Sequence, residues 1–211
     1  MFIERLQEIY DVNQPIFINE ILDTFDEYSR SYVFKLIKKA EEKKEIMNFC
    51  QGVYYIPTKT LFGTSTITID DVLNKKYVSD NNETFGIYSG LRLQNMFNLT
   101  TQMPNTIEIV TNKESMRKRE IVIGGRKIIL RKSKCDITND NVNEYTLLQL
   151  MTEAGDNIAE EVRKRLKKYI QENKVDYNKT LLLSTYFPSK TIKNLILSEV
   201  FDEFTQRDWN F

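Results

Sequence analysis

The chain has 211 residues, of which 41% are hydrophobic and 28% charged, the composition of an ordinary soluble globular protein that can bury a core. Lys and Arg together number 30, as do Asp and Glu, so any argument about a polyanionic partner depends on how the charges are distributed along the chain. The chain has no histidine and only two cysteines, Cys50 and Cys135, without a C-x-x-C spacing, which excludes histidine-based triads, disulfide frameworks and zinc sites built from these residues.

The first ten residues, MFIERLQEIY, carry acids where a signal peptide carries bases followed by an apolar run. No stretch of the chain approaches the roughly 20 apolar residues of a membrane span. Two cysteines without a partner pattern fit a reducing compartment. We therefore expect a soluble, unexported, cytoplasmic protein without a membrane partner.

The N-terminal segment predicts three helices and then a β-hairpin. Apolar residues recur at helical spacing over 2–10, 18–25 and 33–40, and Ser29 or Ser31 is suited to cap the third helix. Two β-prone runs follow, separated by the turn-forming sequence Cys50-Gln51-Gly52. This order is typical of a winged helix-turn-helix, so residues 1–60 are predicted to form a DNA-binding domain of that kind.

The charge pattern of the third predicted helix favours a nucleic-acid partner. Residues 30–44 contain six bases and two acids, whereas residues 1–28 contain seven acids and one base. Phosphate neutralisation by such a face supplies most non-specific DNA affinity. A solvated basic face and a winged helix used only for protein contacts are the alternatives. The candidate DNA-binding residues are Arg30, Ser31, Tyr32, Lys35, Lys38, Lys39 and Tyr54.

The remainder, residues 61–211, predicts a mixed α/β domain with a helical tail, so the fold class of the whole chain is α+β. Residues 58–65 are interpreted as a connector, 88–97 as a possible helix and 106–110 as a strand. Residues 120–131 predict a hairpin that turns at Gly124-Gly125. Three helices are predicted beyond Cys135: around 147–151, over 158–170 and over 192–201, the last beginning near Pro188.

Three segments resemble a known family. The sequences at 52–57 (GVYYIP), 86–90 (GIYSG) and 99–104 (LTTQMP) are similar to those of the antitoxin and transcriptional-regulator component of AbiE-type (type IV) abortive-infection toxin–antitoxin systems. The resemblance covers about residues 15–155, and Asn98 stands where the family usually has a glycine-containing turn. It implies a cytoplasmic bacterial protein whose N-terminal domain binds operator DNA and represses its own operon, and whose C-terminal domain counters a nucleotidyltransferase-type toxin.

A second basic region, 113–134, contains nine bases and two acids. The predicted hairpin would bring bases from both strands together, and their mutual repulsion favours an anionic neighbour. That neighbour is the acidic segment 136–156 of the same domain, DNA beside the operator, or the toxin; otherwise the patch is solvated charge. The candidate residues are Arg117, Lys118, Arg119, Arg126, Lys127, Arg131 and Lys132.

Catalytic signals are weak in this sequence. Gly63-Thr64-Ser65 with Asp70-Asp71 superficially resembles a nucleotidyltransferase pattern, but adjacent acids on a strand point to opposite faces. We interpret the Asp pair as the N-terminal acids of a helix. We therefore expect no enzyme activity, cofactor or metal; the alternative is a metal-dependent nucleic-acid-processing enzyme targeted by a winged helix.

Overall fold

In the computed structural model, which describes residues 2–61, 63–154 and 158–201, the chain is a mixed α+β protein with two compact units, Met1–Lys76 and Tyr77–Phe211. The sequence placed the boundary at residue 60. The first unit extends further because the Lys75 Nζ donates to the Pro15 carbonyl oxygen at 2.8 Å and pairs with Glu20 at 2.8 Å. Within the described ranges, no helix has both the length and the apolar character needed to cross a membrane.

The first unit begins with the three predicted helices. They are α1 (Phe2–Ile9), α2 (Ile18–Thr24) and α3 (Arg30–Glu42). Ser29 is the N-cap of α3, where its hydroxyl accepts a hydrogen bond from the Tyr32 amide. A two-residue strand, β1 (Ile16–Phe17), precedes α2 and was not predicted.

The predicted hairpin is present as β2 (Met47–Cys50) and β3 (Val53–Tyr55). Strand β1 pairs with β3, so the three strands form an antiparallel sheet in the order β1-β3-β2. Gly52 turns the hairpin with φ of +73°, a conformation that favours glycine. The helices and the sheet enclose one core, which consists of Leu6, Ile16, Ile21, Phe25, Val33, Ile37, Ala40, Ile46 and Ile56.

The predicted connector contains a small hairpin, β4 (Lys59–Thr60) with β5 (Gly63–Thr64), which the sequence analysis had left unstructured. Helix α4 (Ile69–Leu73) follows and leads into a π-helical turn over Asn74–Val78. Thr68 caps α4, and the Asp71 carboxylate accepts from the Thr68 amide at 2.7 Å. The interpretation of the Asp pair as N-terminal helix acids is thus confirmed.

The second unit opens with a short hairpin, β6 (Ser79–Asp80) with β7 (Glu83–Thr84). Its main sheet has four strands in the order β10-β11-β9-β8. Strands β9 and β11 are parallel and the other two pairs are antiparallel. These strands are β8 (Gly86–Ser89), β9 (Ile107–Thr111), β10 (Arg119–Ile123) and β11 (Arg126–Lys132).

The helix expected over 88–97 begins later than predicted, as α5 (Gly90–Met96). Tyr88 and Ser89 instead end β8, where they pair with Ile109 and Glu108 of β9. The helix ends with Asn98 at φ of +59°, and the Leu99 amide donates to the Gln94 carbonyl oxygen at 2.9 Å. Asparagine therefore provides the left-handed cap that ends α5.

Four helices follow the sheet in the part of the second unit that the structure describes: α6 (Val142–Glu153), α7 (Glu160–Glu172), α8 (Tyr177–Ser184) and α9 (Ser189–Leu197). The three predicted helices correspond to α6, α7 and α9, and Pro188 is the N-cap of α9. Helix α6 is buried over 144–151 and packs against α8, α9, α5 and β8. It is thus the central helix of this unit's core.

Candidate functional site

The exposed face of α3 carries most of the residues that the sequence singled out. Val33, Ile37 and Ala40 are buried against the core of the first unit. At 100° per residue, the positions opposite them are 31, 35, 38 and 42. The side chains of Arg30, Ser31, Tyr32, Lys35, Lys38 and Lys39 are all exposed.

Among the described residues, the bases on this face have no ion-pair partner, in contrast to Arg5 and Lys75 of the same unit. Arg5 pairs with Glu27, and Lys75 pairs with Glu20. Within the part of the chain that the structure describes, Arg30, Lys35, Lys38 and Lys39 have no such partner. The face therefore presents positive charge that the unit itself does not neutralise.

Aromatic side chains border the basic face. Tyr32 is 48% exposed, and its ring lies 5.2 Å from that of Tyr28, centroid to centroid. Phe34 is 45% exposed on the other flank. Tyr28 and Phe34 were not singled out from the sequence, because an aromatic residue in or beside an amphipathic helix usually belongs to the core. Their exposure depends on how the helix is rotated against the core.

Tyr54 does not belong to this exposed set. It lies in β3, the central strand of the sheet, and packs against the core of the unit. Burial, assisted by the charge of Glu41, raises the pKa of Tyr54 above its usual value, although a hydrogen bond with Asn48 opposes the shift. The exposed residues of the hairpin are Asn48 in β2 and Gln51 in the turn.

The second basic region forms one surface around β10 and β11, as the antiparallel pairing predicted. Arg119 lies opposite Leu130, and Ile123 opposite Arg126. The Lys132 amide donates to the Met116 carbonyl oxygen at 3.2 Å, which brings the segment before β10 beside the end of β11. The bases before β10 and those at the end of β11 are consequently neighbours.

Carboxylates of the sheet and of the loop before β10 neutralise part of this surface. Glu120 pairs with Lys118 at 2.7 Å and with Lys127 at 2.6 Å. Hydrogen bonds from these two lysines lower the pKa of Glu120 to about 2. Two further pairs join Arg119 to the buried Glu114 at 2.7 Å and Arg131 to Glu108 at 3.0 Å. Arg117, Arg126 and Lys132 have no ion pair within the described residues.

The acidic segment 136–156, the internal neighbour that the sequence suggested, contributes little to this neutralisation. Glu144 is buried and accepts a hydrogen bond from the Asp176 amide at 3.0 Å. Glu153 interacts electrostatically with Lys134, whereas Asp156 lies outside the described residues. The partners that the structure does provide include Glu108 of β9, which sequence reasoning missed because no local spacing links it to Arg131.

The residues considered for catalysis are dispersed or have structural roles. Asp70 and Asp71 lie in the first turn of α4, and Asp71 belongs to its N-terminal cap. Cys50 and Cys135 are both unpaired thiols, and burial raises the pKa of Cys135. Among the residues that the structure describes, no group of three or more Cys, Asp or Glu side chains could hold a metal ion.

Residues 12–179 of the chain match a family model. The family is DUF6088, described as a family of unknown function. No curated protein matches the chain.

Proposed function

We propose that this chain, which belongs to the DUF6088 family of unknown function, is a DNA-binding transcriptional regulator. In this proposal, α3 enters the major groove of duplex DNA. The proposal rests on one observation: the exposed face of α3 carries Lys35, Lys38 and Lys39, all without an ion-pair partner among the described residues. Lysines that the protein leaves unpaired can neutralise phosphates and release their counterions.

The arrangement around α3 supports a winged helix-turn-helix. Three helices precede a hairpin, and β1 completes a three-stranded sheet. In a winged helix the third helix contacts base edges with its N-terminal residues, and the hairpin lies against the DNA backbone. Arg30 and Ser31 occupy the first turn of α3, so in this interpretation they reach base edges while Lys35, Lys38 and Lys39 contact phosphates.

The biological role that we propose comes from the resemblance to AbiE-type antitoxins. In this role the protein acts in the bacterial cytoplasm, represses its own operon, and counters a nucleotidyltransferase-type toxin. The second unit, with its basic surface around β10 and β11, is the part available for a toxin partner. The protein has no catalytic function in this proposal.

Nuclease footprinting of the full chain on the DNA upstream of its own gene tests the regulator proposal. We expect a protected segment that persists when unrelated duplex DNA is added in excess. If the unrelated duplex DNA removes the protection, the protein has no operator in the upstream DNA. That result would contradict autoregulation.

The toxin part of the proposal has its own test. We expect a nucleotidyltransferase-like reading frame beside the gene, and co-expression of this chain should restore growth to cells that express that product. A matched control expresses the product with the chain shortened to its first unit. If the complete chain does not restore growth, the antitoxin role is wrong, whereas DNA binding by α3 is unaffected.

A further inference from the structure

A polar cleft of about 600 Å³ opens within the second unit. Its lining comes from β9, from β11 and the residues after it, from the segment before β10, and from α5 and α6. This volume lies in the range of small-molecule sites, roughly 300–1,000 Å³. The cleft belongs to a different unit from α3, so ligand binding in it does not depend on DNA binding by α3.

The cleft has an excess of positive charge. Four cations line it, Arg117, Arg131, Lys132 and Lys134, against the carboxylates of Glu108 and Glu153. Arg131 is already paired, since its Nε lies 3.0 Å from Glu108 Oε2. The other three cations have no ion pair with a carboxylate of the described residues, so they remain available to an anion.

Lys134 is held in place by a buried neutral group. Its Nζ donates to Gln149 Oε1 at 2.8 Å, and Gln149 is only 5% exposed. The ammonium also lies 4.5 Å from the centroid of the Phe187 ring. Burial lowers the pKa of Lys134, which the charge of Glu153 partly opposes. An ammonium has three donors, so the hydrogen bond to Gln149 leaves donors for a ligand oxygen.

On the same wall, Glu153 presents a buried acceptor oxygen. Its Oε1 accepts from the Gly90 amide at 3.1 Å and from Gln149 Nε2 at 2.8 Å. Its Oε2 is buried and has no hydrogen-bond partner among residues 2–61, 63–154 and 158–201. A buried carboxylate oxygen without a partner is costly, and a ligand that donates a hydrogen bond there would remove that cost.

We infer that this cleft binds a phosphate monoester of nucleotide size. Arg117, Lys132 and Lys134 hold the phosphate, because guanidinium and ammonium groups are the usual protein partners of phosphate oxygens. Glu153 Oε2 accepts a hydrogen bond from a hydroxyl or amino group on the rest of the ligand. A free mononucleotide and the 5′-phosphorylated end of a short strand both offer this chemistry.

Isothermal titration of the full chain with each of the four 5′-mononucleotides, and with adenosine, tests the site. We expect at least one mononucleotide to bind and adenosine to show no heat of binding. Arg117→Gln with Lys132→Gln should weaken mononucleotide binding at least about tenfold, because two charge-assisted contacts are lost. Arg126→Gln is the control, since this hairpin arginine likewise has no ion pair with any described residue but does not line the cleft, and it should bind as the unaltered chain does.

Two further measurements refine the assignment. Glu153→Gln should lower the ratio of mononucleotide affinity to inorganic-phosphate affinity, because it removes the acceptor for the rest of the ligand and leaves the three cations in place; an unchanged ratio would show that Glu153 does not contact the ligand. If a 5′-phosphorylated trinucleotide binds more tightly than every mononucleotide, the ligand of the cleft is the end of a strand. If a mononucleotide binds more tightly than the trinucleotide, the ligand is a free nucleotide. The inference is overturned if no phosphorylated probe binds at millimolar concentration, if adenosine binds as well as its monophosphate, or if the double variant binds unchanged.

Discussion

Two glycines of the GIYSG segment are explained by what their missing side chains would touch. A Cβ at Gly86 would lie 2.0 Å from the Tyr77 carbonyl oxygen and 2.9 Å from that of Val110. Gly90 has φ of +64°, and a Cβ there would lie 3.0 Å from the Glu108 carboxylate. The first glycine permits close approach of β8 to its backbone neighbours, and the second permits the turn from β8 into α5.

Gly86→Ala should therefore destabilise the second unit by about 3 kcal/mol or more, because backbone atoms rather than flexible side chains must move. The control is Gly125→Ala, where φ is +76° but nothing lies within 4 Å of the added Cβ. That change should cost only about 1–2 kcal/mol, from the backbone conformation. Hydrogen exchange of the β8 and β9 amides measures both effects, and equal loss of protection in the two variants would contradict the explanation.

Arg30 is the residue for which we predict an effect on sequence discrimination. At the first position of α3, its guanidinium can donate two hydrogen bonds to a guanine in the major groove. Arg30→Ala should then cost about 1–3 kcal/mol on the operator and much less on random duplex. Fluorescence anisotropy on the two DNAs gives the comparison, and equal losses would reassign Arg30 to a phosphate.

Among the elements, the β10–β11 hairpin offers a prediction about pH. The pKa of Glu120 falls from 4.5 to about 2, chiefly through hydrogen bonds from Lys118 and Lys127. A carboxylate with a depressed pKa stabilises the fold above its unfolded pKa of about 4.5, and this contribution is lost as the pH falls through about 2. Since the pairs are exposed, salt screens them and their effect on stability is small.

Carbon-13 NMR of the Glu120 carboxyl group measures the pKa of Glu120 directly. Lys118→Gln with Lys127→Gln should return the pKa towards 4.5, whereas Arg126→Gln should leave it where it is, because Arg126 does not pair with Glu120. A pKa that stays near 2 without both lysines would show that another interaction causes the shift.

Elements with strong local signals were predicted well from the sequence. Helix α3 has apolar residues at helical spacing and a serine cap, and the β10–β11 hairpin has Gly124-Gly125 at its turn. Strand β1 was missed because two residues carry no periodicity, and it exists only through its pairing with β3. Helix α8 was missed because Leu181, Leu182 and Leu183 are consecutive rather than spaced along one face.

Of the two candidate sites, the α3 face was predictable from the sequence and the cleft was not. The lysines of α3 were found because the helix has a regular period, so their face follows from the positions of the buried residues. The cleft was not found, because residues far apart in the chain, such as Lys134 and Gln149, meet there only through the packing of α6. Long-range contacts of this kind leave no local pattern in a sequence.

At the scale of the whole molecule, the net charge of zero conceals two local excesses of positive charge, one in each unit. A neutral protein gains no general attraction to DNA from its total charge. If it binds DNA as proposed, the affinity and its salt dependence must come from particular bases, and the α3 face is where we place them.

The salt dependence of duplex binding tests this account most directly, with Lys35→Glu/Lys39→Glu as the variant and Lys164→Glu/Lys168→Glu on α7 as the control. Both pairs are exposed lysines one helical turn apart, so the two variants change the net charge equally. Each phosphate contact contributes close to one unit to the slope of log affinity against log salt, so the α3 variant should lose about two units and the control almost none. Equal slopes for the α3 variant, the control and the unaltered chain would contradict the assignment of α3 as the DNA-binding element.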